Sequence, residues 1–161
     1  MTAARELTLR SLGLADAEPL AQLHQHAFPA GEAWTKDAFE ELLALDTVSA
    51  CALAGKQGLV SILLVQRAED QAEILTLATD PAARRKGYAN TLLDLAGQDL
   101  QSNGAKTWLL DVAADNAGAI AFYEKLGFSQ DGKRPRYYKR LEGDRVDAIL
   151  MSMPMGGQTI R

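Results

Sequence analysis

A basic loop that contains a glycine is the part of this sequence whose residue types most clearly suit chemistry. It runs Arg84-Arg85-Lys86-Gly87-Tyr88-Ala89, between an apolar run that ends at Asp80-Pro81 and a segment of helical periodicity. Backbone N–H groups at a helix start lack partners within the helix, and the helix dipole favours negative charge there. Because Gly87 lets the backbone approach a ligand closely, the loop is predicted to bind a phosphate or pyrophosphate.

The same loop is unlike two common nucleotide-binding motifs. No Gly-Lys-Ser/Thr follows it, as a Walker loop would require, and the Gly-x-Gly-x-x-Gly of dinucleotide folds is absent. Nucleoside triphosphates and dinucleotides are therefore disfavoured as ligands. A solvated basic turn in front of an ordinary helix remains the alternative interpretation of the loop by itself.

Length and composition indicate one compact domain. The chain has 161 residues, 47% of them apolar, which predicts a single domain over residues 5–154 and a disordered tail over 155–161. The net charge of −4 argues against broad nucleic-acid binding. The single cysteine cannot form an internal disulfide, and no targeting segment is recognised. No apolar run reaches the ~20 residues of a membrane span, so we expect a cytoplasmic protein with no membrane role.

Hydrophobic periodicity predicts the elements that position this loop. Two amphipathic helices come first. Asp16 is predicted to cap the first, and the second is predicted to start at Thr35. Three β-rich runs then indicate an antiparallel meander, and a β-turn-α-β-α order follows. The predicted elements are strands Val48–Ala54, Leu59–Arg67 and Ala72–Thr79, a helix from Gly87 to Asn103-Gly104, strand Lys106–Val112, a helix from Asn116 to Gly127, a strand from Phe128, and strand Arg145–Met153. This order is typical of a mixed α/β (α+β) fold.

Two segments together resemble the signatures of the GNAT superfamily of N-acetyltransferases. Arg-x-x-Gly-x-Ala after a strand that ends in Asp-Pro is similar to the coenzyme A loop of that superfamily. Residues 115–128 resemble its second signature, in which an Asn, a helix Tyr and a Tyr-x-x-x-Gly-Phe ending recur. The similarity is greatest to RimI-type enzymes, which acetylate the N-terminal amine of a ribosomal protein, and runs from His26 to Ile149.

The resemblance implies a fold, an activity and a cofactor. The fold would be of the GNAT type, a central, mostly antiparallel mixed sheet splayed at a cofactor cleft, with helices on both faces. The activity would be direct transfer of an acetyl group from acetyl-CoA to an amine held in a ternary complex. The implied cofactor-binding residues are Leu77, Ala78, Thr79, Arg84, Arg85, Lys86, Gly87, Tyr88, Ala89, Asn90, Asn116 and Tyr123.

These cofactor residues divide by the part of acetyl-CoA that they would bind. The backbone of Leu77–Thr79 would pair with the pantetheine arm and polarise the acetyl carbonyl, where plain strand pairing is the alternative. Residues 84–90 would cradle the pyrophosphate. Asn116 would bond the cofactor arm, although an N-cap at the helix start needs the same residue type.

The resemblance also implies a general acid and a general base. Tyr123 matches a Tyr that protonates the leaving thiolate, and a core Tyr is the alternative. Asp111 stands where RimI-type enzymes carry a Glu, and it shares one strand face with Thr107 and Leu109. Because Asp is one methylene shorter, deprotonation through a bound water is an alternative, and so is a structural hydrogen-bonded Asp.

The acceptor amine would lie between two aromatic walls. Tyr137-Tyr138, within the basic stretch Lys133–Arg140, resembles the Tyr pair that covers the peptide in N-terminal acetyltransferases. Phe28 and Trp34 match the opposite wall, with core packing of Phe28 as the alternative. Basic residues beside aromatics also suit RNA, but one short stretch on an acidic protein argues against direct nucleic-acid binding.

Other interpretations of the activity remain open. An acetyltransferase of lysine side chains or of a small-molecule amine would share every cofactor residue named above. A non-catalytic acetyl-CoA-binding module is a further alternative, which the presence of Asp111 and Tyr123 disfavours. His24 and His26 point in different directions on a helix, so no metal site is expected. Cys51 is predicted to be a small core residue and not a nucleophile.

Overall fold

The computed structural model describes residues 6–140 and 142–156. The described residues form two compact units, one made of residues 6–66 and 75–99 and the other of residues 67–74, 100–140 and 142–156. The elements in chain order are β1 Thr8–Leu12, α1 Ala17–Ala27, α2 Lys36–Leu43, β2 Val48–Gly55, β3 Gly58–Ala68, β4 Gln71–Thr79, α3 Tyr88–Ser102, β5 Thr107–Ala113, α4 Ala117–Leu126, β6 Ser129–Lys139 and β7 Arg145–Pro154.

The strands form one seven-stranded sheet in the order β1-β2-β3-β4-β5-β7-β6. The pairs β1–β2, β2–β3, β5–β7 and β6–β7 are antiparallel. The pair β4–β5 is parallel, because α3 and its loops form a crossover that brings the chain back to the end of the sheet where β4 begins. The prediction of a mixed α/β chain with a mostly antiparallel sheet is confirmed.

The first unit is built on the apolar stripes of its two N-terminal helices. Leu20 of α1 and Phe39 of α2 are fully buried and belong to one apolar cluster with Ile62 and Leu64 of β3. Helical spacing places such residues on a single face of each helix, and burial of that face is what holds each helix in place. The predicted start of α2 at Thr35 is confirmed, and Thr35 Oγ1 caps the helix by accepting from the Ala38 N–H at 3.1 Å.

The start of α1 differs from the prediction. Asp16 occupies the N-cap position, but its carboxylate makes no cap hydrogen bond to α1. It accepts instead from the Gly13 N–H at 2.8 Å, which closes a short 3₁₀ turn over Leu14–Asp16. The Asp16 carboxylate therefore stabilises the 3₁₀ turn that precedes α1, and not the first turn of α1 as predicted.

The second unit is built on the alternation of β5. Trp108, Leu110 and Val112 are buried, while the residues between them are half-buried on the opposite face. The predicted end of α4 at Gly127 is confirmed, with this residue in the left-handed region at φ 114°. A Cβ there would also stand 3.0 Å from the Met153 Sδ, so both conformation and space favour glycine.

The two chain ends add residues that the sequence patterns did not assign. The strand β1 was not predicted, because four of its five residues are exposed and no apolar alternation marks it. At the other end, Met155 is buried and its N–H donates to the Lys106 carbonyl at 2.8 Å. The chain is therefore packed beyond residue 154, where the predicted domain ends, and residues 157–161 of the predicted tail lie outside the described residues.

Candidate active site

The basic loop has the backbone conformation of an anion cradle. Arg85 and Gly87 both adopt positive φ, 66° and 75° respectively, and left-handed residues within a turn direct successive N–H groups to the same side. Within the described part of the chain, the Thr91 N–H is the first of α3 that donates to a backbone acceptor, the Gly87 carbonyl at 3.0 Å. The N–H groups before it are thus available to a bound anion.

The cationic side chains of the loop are not equivalent. Arg84 Nη2 donates to the Ala27 carbonyl at 2.9 Å, so this guanidinium caps the C-terminus of α1. The side chains of Arg85 and Lys86 are exposed. The loop therefore presents two cations outward, while Arg84 ties it to the helix that precedes Phe28.

The end of β4 is held by a buried serine. Ser61 of β3 contacts the Thr79 hydroxyl at 2.9 Å and donates to the Ala78 carbonyl at 3.3 Å. Asp80 then stops the strand, as predicted, by accepting from the Ala82 N–H at 3.0 Å. The parallel register of β4 with β5 joins residues 71–73 to 107–109 and includes no residue of Leu77–Thr79.

Asn116 uses its side chain as a helix cap. Its Oδ1 accepts from the Ala119 N–H at 3.1 Å, so the N-cap that the sequence predicted is present. The neighbouring Asp115 accepts two hydrogen bonds from Arg140, one from Nε at 3.1 Å and a shorter one from Nη2. This bond from Arg140 lowers the pKa of Asp115 and fixes the end of β6 against the start of α4.

Tyr123 lies half-buried on α4 in edge-to-face contact with two other rings. Its ring centroid is 5.1 Å from that of Phe122 and 5.5 Å from that of Phe128. Burial raises the pKa of Tyr123 to about 12, and the nearby Tyr138 adds to the shift. The phenol consequently stays protonated at every physiological pH and keeps an O–H group that can donate a hydrogen bond.

Asp111 is part of a cluster of charged and phenolic groups on one face of the second unit. The register of β4 with β5 pairs Glu73 with Leu109, and Asp111 follows Leu109 by two positions on the same face. Burial raises the pKa of Tyr138 to about 12, with Asp111, Tyr137 and Glu73 adding to the shift and Arg134 opposing it. The cluster therefore contains two predicted residues, Asp111 and Tyr138, and two that sequence reasoning missed, Glu73 and Arg134.

Glu73 is the second carboxylate of this cluster. Burial raises its pKa first, the charge of Asp111 raises it further, and the Arg134 guanidinium works in the opposite direction. A carboxylate whose pKa is raised in this way is a better proton acceptor than one in water. The only sequence signal for it was a charged residue inside an otherwise apolar alternation, Ala72-Glu73-Ile74.

The aromatic pair on β6 lies at an irregularity of the sheet. The β6–β7 register shifts between Arg134 and Tyr138, and Arg136 adopts φ 53° there. The Arg136 N–H donates to Asp147 Oδ1 at 2.9 Å, which holds the bulge. The Tyr137 and Tyr138 rings meet edge to face at 5.1 Å, and the Arg134 guanidinium stands 5.3 Å from the Tyr137 centroid.

The Phe28–Trp34 loop is organised by a buried histidine. The Trp34 N–H donates to His24 Nδ1 at 2.9 Å, so the ring proton of neutral His24 is on Nε2, which contacts Thr76 Oγ1 at 2.9 Å. The His24 ring stacks on Phe28 and Trp34, with centroids 4.3 and 5.0 Å away. Phe28 also lines an open pocket of about 350 Å³ together with Gln25, Ala30, Gly31 and Ala33.

The predicted site residues thus fall into two sets. The first unit holds the loop, the Leu77–Thr79 stretch and the Phe28–Trp34 loop, and the second holds Asp111, Asn116, Tyr123 and the Tyr137–Tyr138 pair. Cys51 is half-buried in β2, and burial raises its thiol pKa to about 11, which leaves it a poor nucleophile. Among the described residues, no helix is long and apolar enough to cross a membrane.

Comparison with known proteins gives consistent matches. Residues 12–128 match the model of the "Acetyltransferase (GNAT) family". The "[Ribosomal protein bS18]-alanine N-acetyltransferase" of Salmonella typhimurium is 32% identical over 92% of this chain and 97% of its own length. The "N-alpha-acetyltransferase RimI" of Mycobacterium tuberculosis is 32% identical over 97% of this chain and 98% of its own length.

A solved structure agrees with these sequence relatives. The crystal structure of the ribosomal-protein-S18-alanine N-acetyltransferase from Escherichia coli has a TM-score of 0.80 and 30% identity to this chain. The match covers 97% of this chain and 99% of that one. Both the sheet and the order of helices around it are therefore shared with an N-acetyltransferase of known structure.

Proposed function

Because the chain belongs to the GNAT family of acetyltransferases and is an acetyl-CoA-dependent N-acetyltransferase, we propose that its acceptor is the N-terminal α-amine of a protein. The family and the fold expected from the sequence are confirmed. The observation that carries the acceptor proposal is the placement of Asp111 on β5 and Tyr138 on β6, the two strands that pair with β7, together with the effect of Asp111 in raising the pKa of Tyr138. Full-length similarity to enzymes named for the alanine of ribosomal protein bS18 supports the same class of acceptor.

The pyrophosphate and pantetheine parts of acetyl-CoA would be bound by residues of the first unit. The conformation of Arg85 and Gly87, the N–H groups at the start of α3 and the exposed cations Arg85 and Lys86 fit a pyrophosphate. Arg84, through its bond to Ala27, would keep the loop in place more than it would contact the phosphates. Tyr88, Ala89 and Asn90 contribute their backbone N–H groups, and Leu77, Ala78 and Thr79 supply strand backbone for the pantetheine arm.

Acetyl-CoA supplies the activated acetyl thioester, and the residues of this chain handle the protons. Asp111 removes a proton from the acceptor nitrogen, directly or through a water. An α-amine has a pKa of about 7.7–8.0, so a modest base is sufficient near neutral pH. Tyr123, which burial keeps protonated, donates to the departing sulfur.

The acceptor peptide would contact aromatic side chains. Tyr137 and Tyr138 offer rigid surface and hydroxyl groups for the peptide backbone, and Phe28 and Trp34 contribute apolar surface next to the pocket at Gln25. Such contacts suit an extended chain terminus. A ribosomal protein acceptor implies that the enzyme works in the cytoplasm and acts on a protein partner.

A paired-peptide assay tests the acceptor class. One hexapeptide begins with a free alanine and contains no lysine, and the other has a blocked N-terminus and one internal lysine. With acetyl-CoA in excess, thiol release and a mass gain are expected on the first peptide. Exclusive acetylation of the lysine peptide would refute the proposal and favour a lysine acetyltransferase.

A matched pair of variants tests the base. Asp111→Asn is expected to lower kcat by about 10²-fold, the usual effect of losing a general base. Asp131→Asn, on the exposed part of β6 in the same unit, serves as the control and should keep the wild-type rate. Equal rates for the two variants would exclude Asp111 from the reaction.

A further inference from the structure

The Phe28–Trp34 loop, which joins α1 to α2, is held at both ends by a hydrogen bond from or to a side chain. At its start, the carbonyl of Ala27 accepts from Arg84 Nη2 at 2.9 Å. At its end, the Trp34 N–H donates to His24 Nδ1 at 2.9 Å. The loop is therefore tied to the rest of the first unit by two side chains that lie outside it.

His24 is the more deeply buried of these two side chains. It is 1% exposed, and with Nδ1 accepting from Trp34, its Nε2–H donates to Thr76 Oγ1 at 2.9 Å. The ring also stacks on Phe28 and on Trp34, with interplanar angles of 27° and 25°. Phe28 and Trp34 are half-buried, so each ring also keeps surface that a peptide can contact. One buried ring thus fixes the aromatic residues at both ends of the loop.

Both connections lead to stretches that the proposed function assigns to acetyl-CoA. Thr76 lies in β4, one residue before Leu77–Thr79, which would bind the pantetheine arm. Arg84 lies in the basic loop, one residue before Arg85, which would bind the pyrophosphate. The position of the acceptor wall is consequently set relative to the backbone that would carry the cofactor.

We propose that His24, held by Thr76, and Arg84 are positioning residues that order the Phe28–Trp34 loop for the acceptor peptide. This inference rests on the proposed function, since it concerns the same acceptor site. A loop that is already ordered does not have to lose conformational freedom when the peptide binds. Loss of either connection therefore weakens peptide binding and leaves the chemical step as it is.

Substitutions at Thr76 test the buried connection. Thr76→Val keeps the β-branched shape and removes the hydroxyl, so His24 loses the acceptor of its Nε2–H. The KM for the hexapeptide that begins with alanine is expected to rise about 10-fold, while kcat and the KM for acetyl-CoA stay within about 2-fold of wild type. Thr76→Ser keeps the hydroxyl and should keep the wild-type KM for the peptide. A peptide KM that Thr76→Val leaves unchanged would overturn the role of His24, and so would an equal loss in all three constants.

Amide hydrogen exchange measures the order of the loop without turnover. The Trp34 N–H should exchange slowly in wild type, because its acceptor is a buried ring nitrogen. His24→Phe keeps a stacking ring and removes that acceptor, so exchange at Trp34 should accelerate by about 10-fold or more. His26→Gln, at an exposed position on the same helix, should keep the wild-type rate. Equal exchange rates at Trp34 in His24→Phe and wild type would contradict the proposal.

A matched pair of variants in the basic loop tests the second connection. Arg84→Gln and Arg85→Gln each remove one positive charge, so both should weaken attraction for the phosphates of acetyl-CoA. Only Arg84→Gln also removes the bond to the Ala27 carbonyl, and only this variant should raise the KM for the peptide, by about 3-fold at saturating acetyl-CoA. Equal peptide KM values in the two variants would exclude Arg84 from positioning the loop.

The choice of peptide separates this inference from the proposed function. If wild type acetylates the hexapeptide that begins with alanine, but its KM is the same in Thr76→Val and Arg84→Gln, the positioning role is refuted while the function stands. If wild type acetylates only the lysine peptide, the proposed acceptor is refuted. A raised KM for the lysine peptide in Thr76→Val would then still support the positioning role, and an unchanged one would refute it.

Discussion

Burial keeps the phenol of Tyr123 protonated. Its pKa of about 12 lies well above that of a thiol, so complete transfer of the proton to a thiolate is uphill, and the hydrogen bond to sulfur carries much of the effect. Tyr123→Phe is expected to lower kcat by about 10- to 100-fold and to leave the KM for acetyl-CoA unchanged. Steady-state kinetics with thiol detection measures both constants.

The same variant carries its own structural control. Phenylalanine keeps the edge-to-face contacts with Phe122 and Phe128, so the melting temperature should stay within a few degrees of wild type. A fall in kcat that came with a large loss of thermal stability would mean that Tyr123 is a core residue only. Unchanged kcat would remove it from the reaction.

The sequence predicted those residues whose role depends on their neighbours along the chain. It missed those whose role depends on strand register or on contacts with distant parts of the chain. Asn116 and Gly127 follow from helix start and stop signals, and both are where the patterns had them. Glu73 acquires its importance from the parallel register with Leu109, which no local pattern encodes. His24 was considered only as a metal ligand together with His26, because its partners Trp34 and Thr76 come from later parts of the chain.

Helix α3 carries a left-handed glycine at each end, which offers a matched test of the basic loop. Gly87 before the helix has φ 75° and Gly104 after it has φ 97°, and no atom would meet an added Cβ at either position. Each Ala substitution should cost about 1 kcal/mol of unfolding free energy, the cost of holding an L-residue in that region. Only Gly87→Ala should raise the KM for acetyl-CoA, by about 10-fold, because only that Cβ stands in the phosphate path.

Equal stability losses with equal KM values would contradict a phosphate cradle at Gly87. Urea unfolding gives the stability of each variant and initial-rate kinetics gives the KM. Since the conformational cost is shared, a difference in KM between the two variants reports ligand contact alone.

The elements that the sequence predicted are those with a strong apolar rhythm. Strands β2 to β5 and all four helices were found within one or two residues of their ends. The strands and helices α1 to α3 contain buried apolar residues, and α4 is marked by its start and stop signals at Asn116 and Gly127. Strand β1 was missed, since its residues are mostly exposed and its place is fixed by pairing Thr8–Leu12 with Ala50–Ala54 of β2. Asp16 was assigned to the wrong turn, because an adjacent 3₁₀ turn competes for the same carboxylate.

Charge is distributed unevenly over the molecule. The loss of stability at low pH is expected to depend on one buried, uncharged residue, His24. The chain carries a net charge of −4, yet the cations that matter here lie in the basic loop and on β6. The core around α1 holds a histidine that is kept neutral, since burial lowers the pKa of His24 to about 4. Its ring contacts, Phe28, Trp34, Phe39 and Thr76, provide no charge that could offset protonation.

Acid should therefore destabilise the fold through His24 in a defined window. Above pH 6.5, the ordinary pKa of the ring, folded and unfolded chains both hold it neutral and no penalty exists. Below that value the unfolded chain binds a proton that the folded chain does not bind, so the free energy of unfolding falls with falling pH, by roughly 3 kcal/mol at pH 4.

His24→Gln can still accept from the Trp34 N–H and donate to Thr76, and it should flatten this part of the stability curve. Urea midpoints between pH 4 and 7 measure it, with His26→Gln, exposed on the same helix, as the variant that should keep the wild-type slope. Parallel curves for wild type and His24→Gln would mean that carboxylates alone set the acid limit.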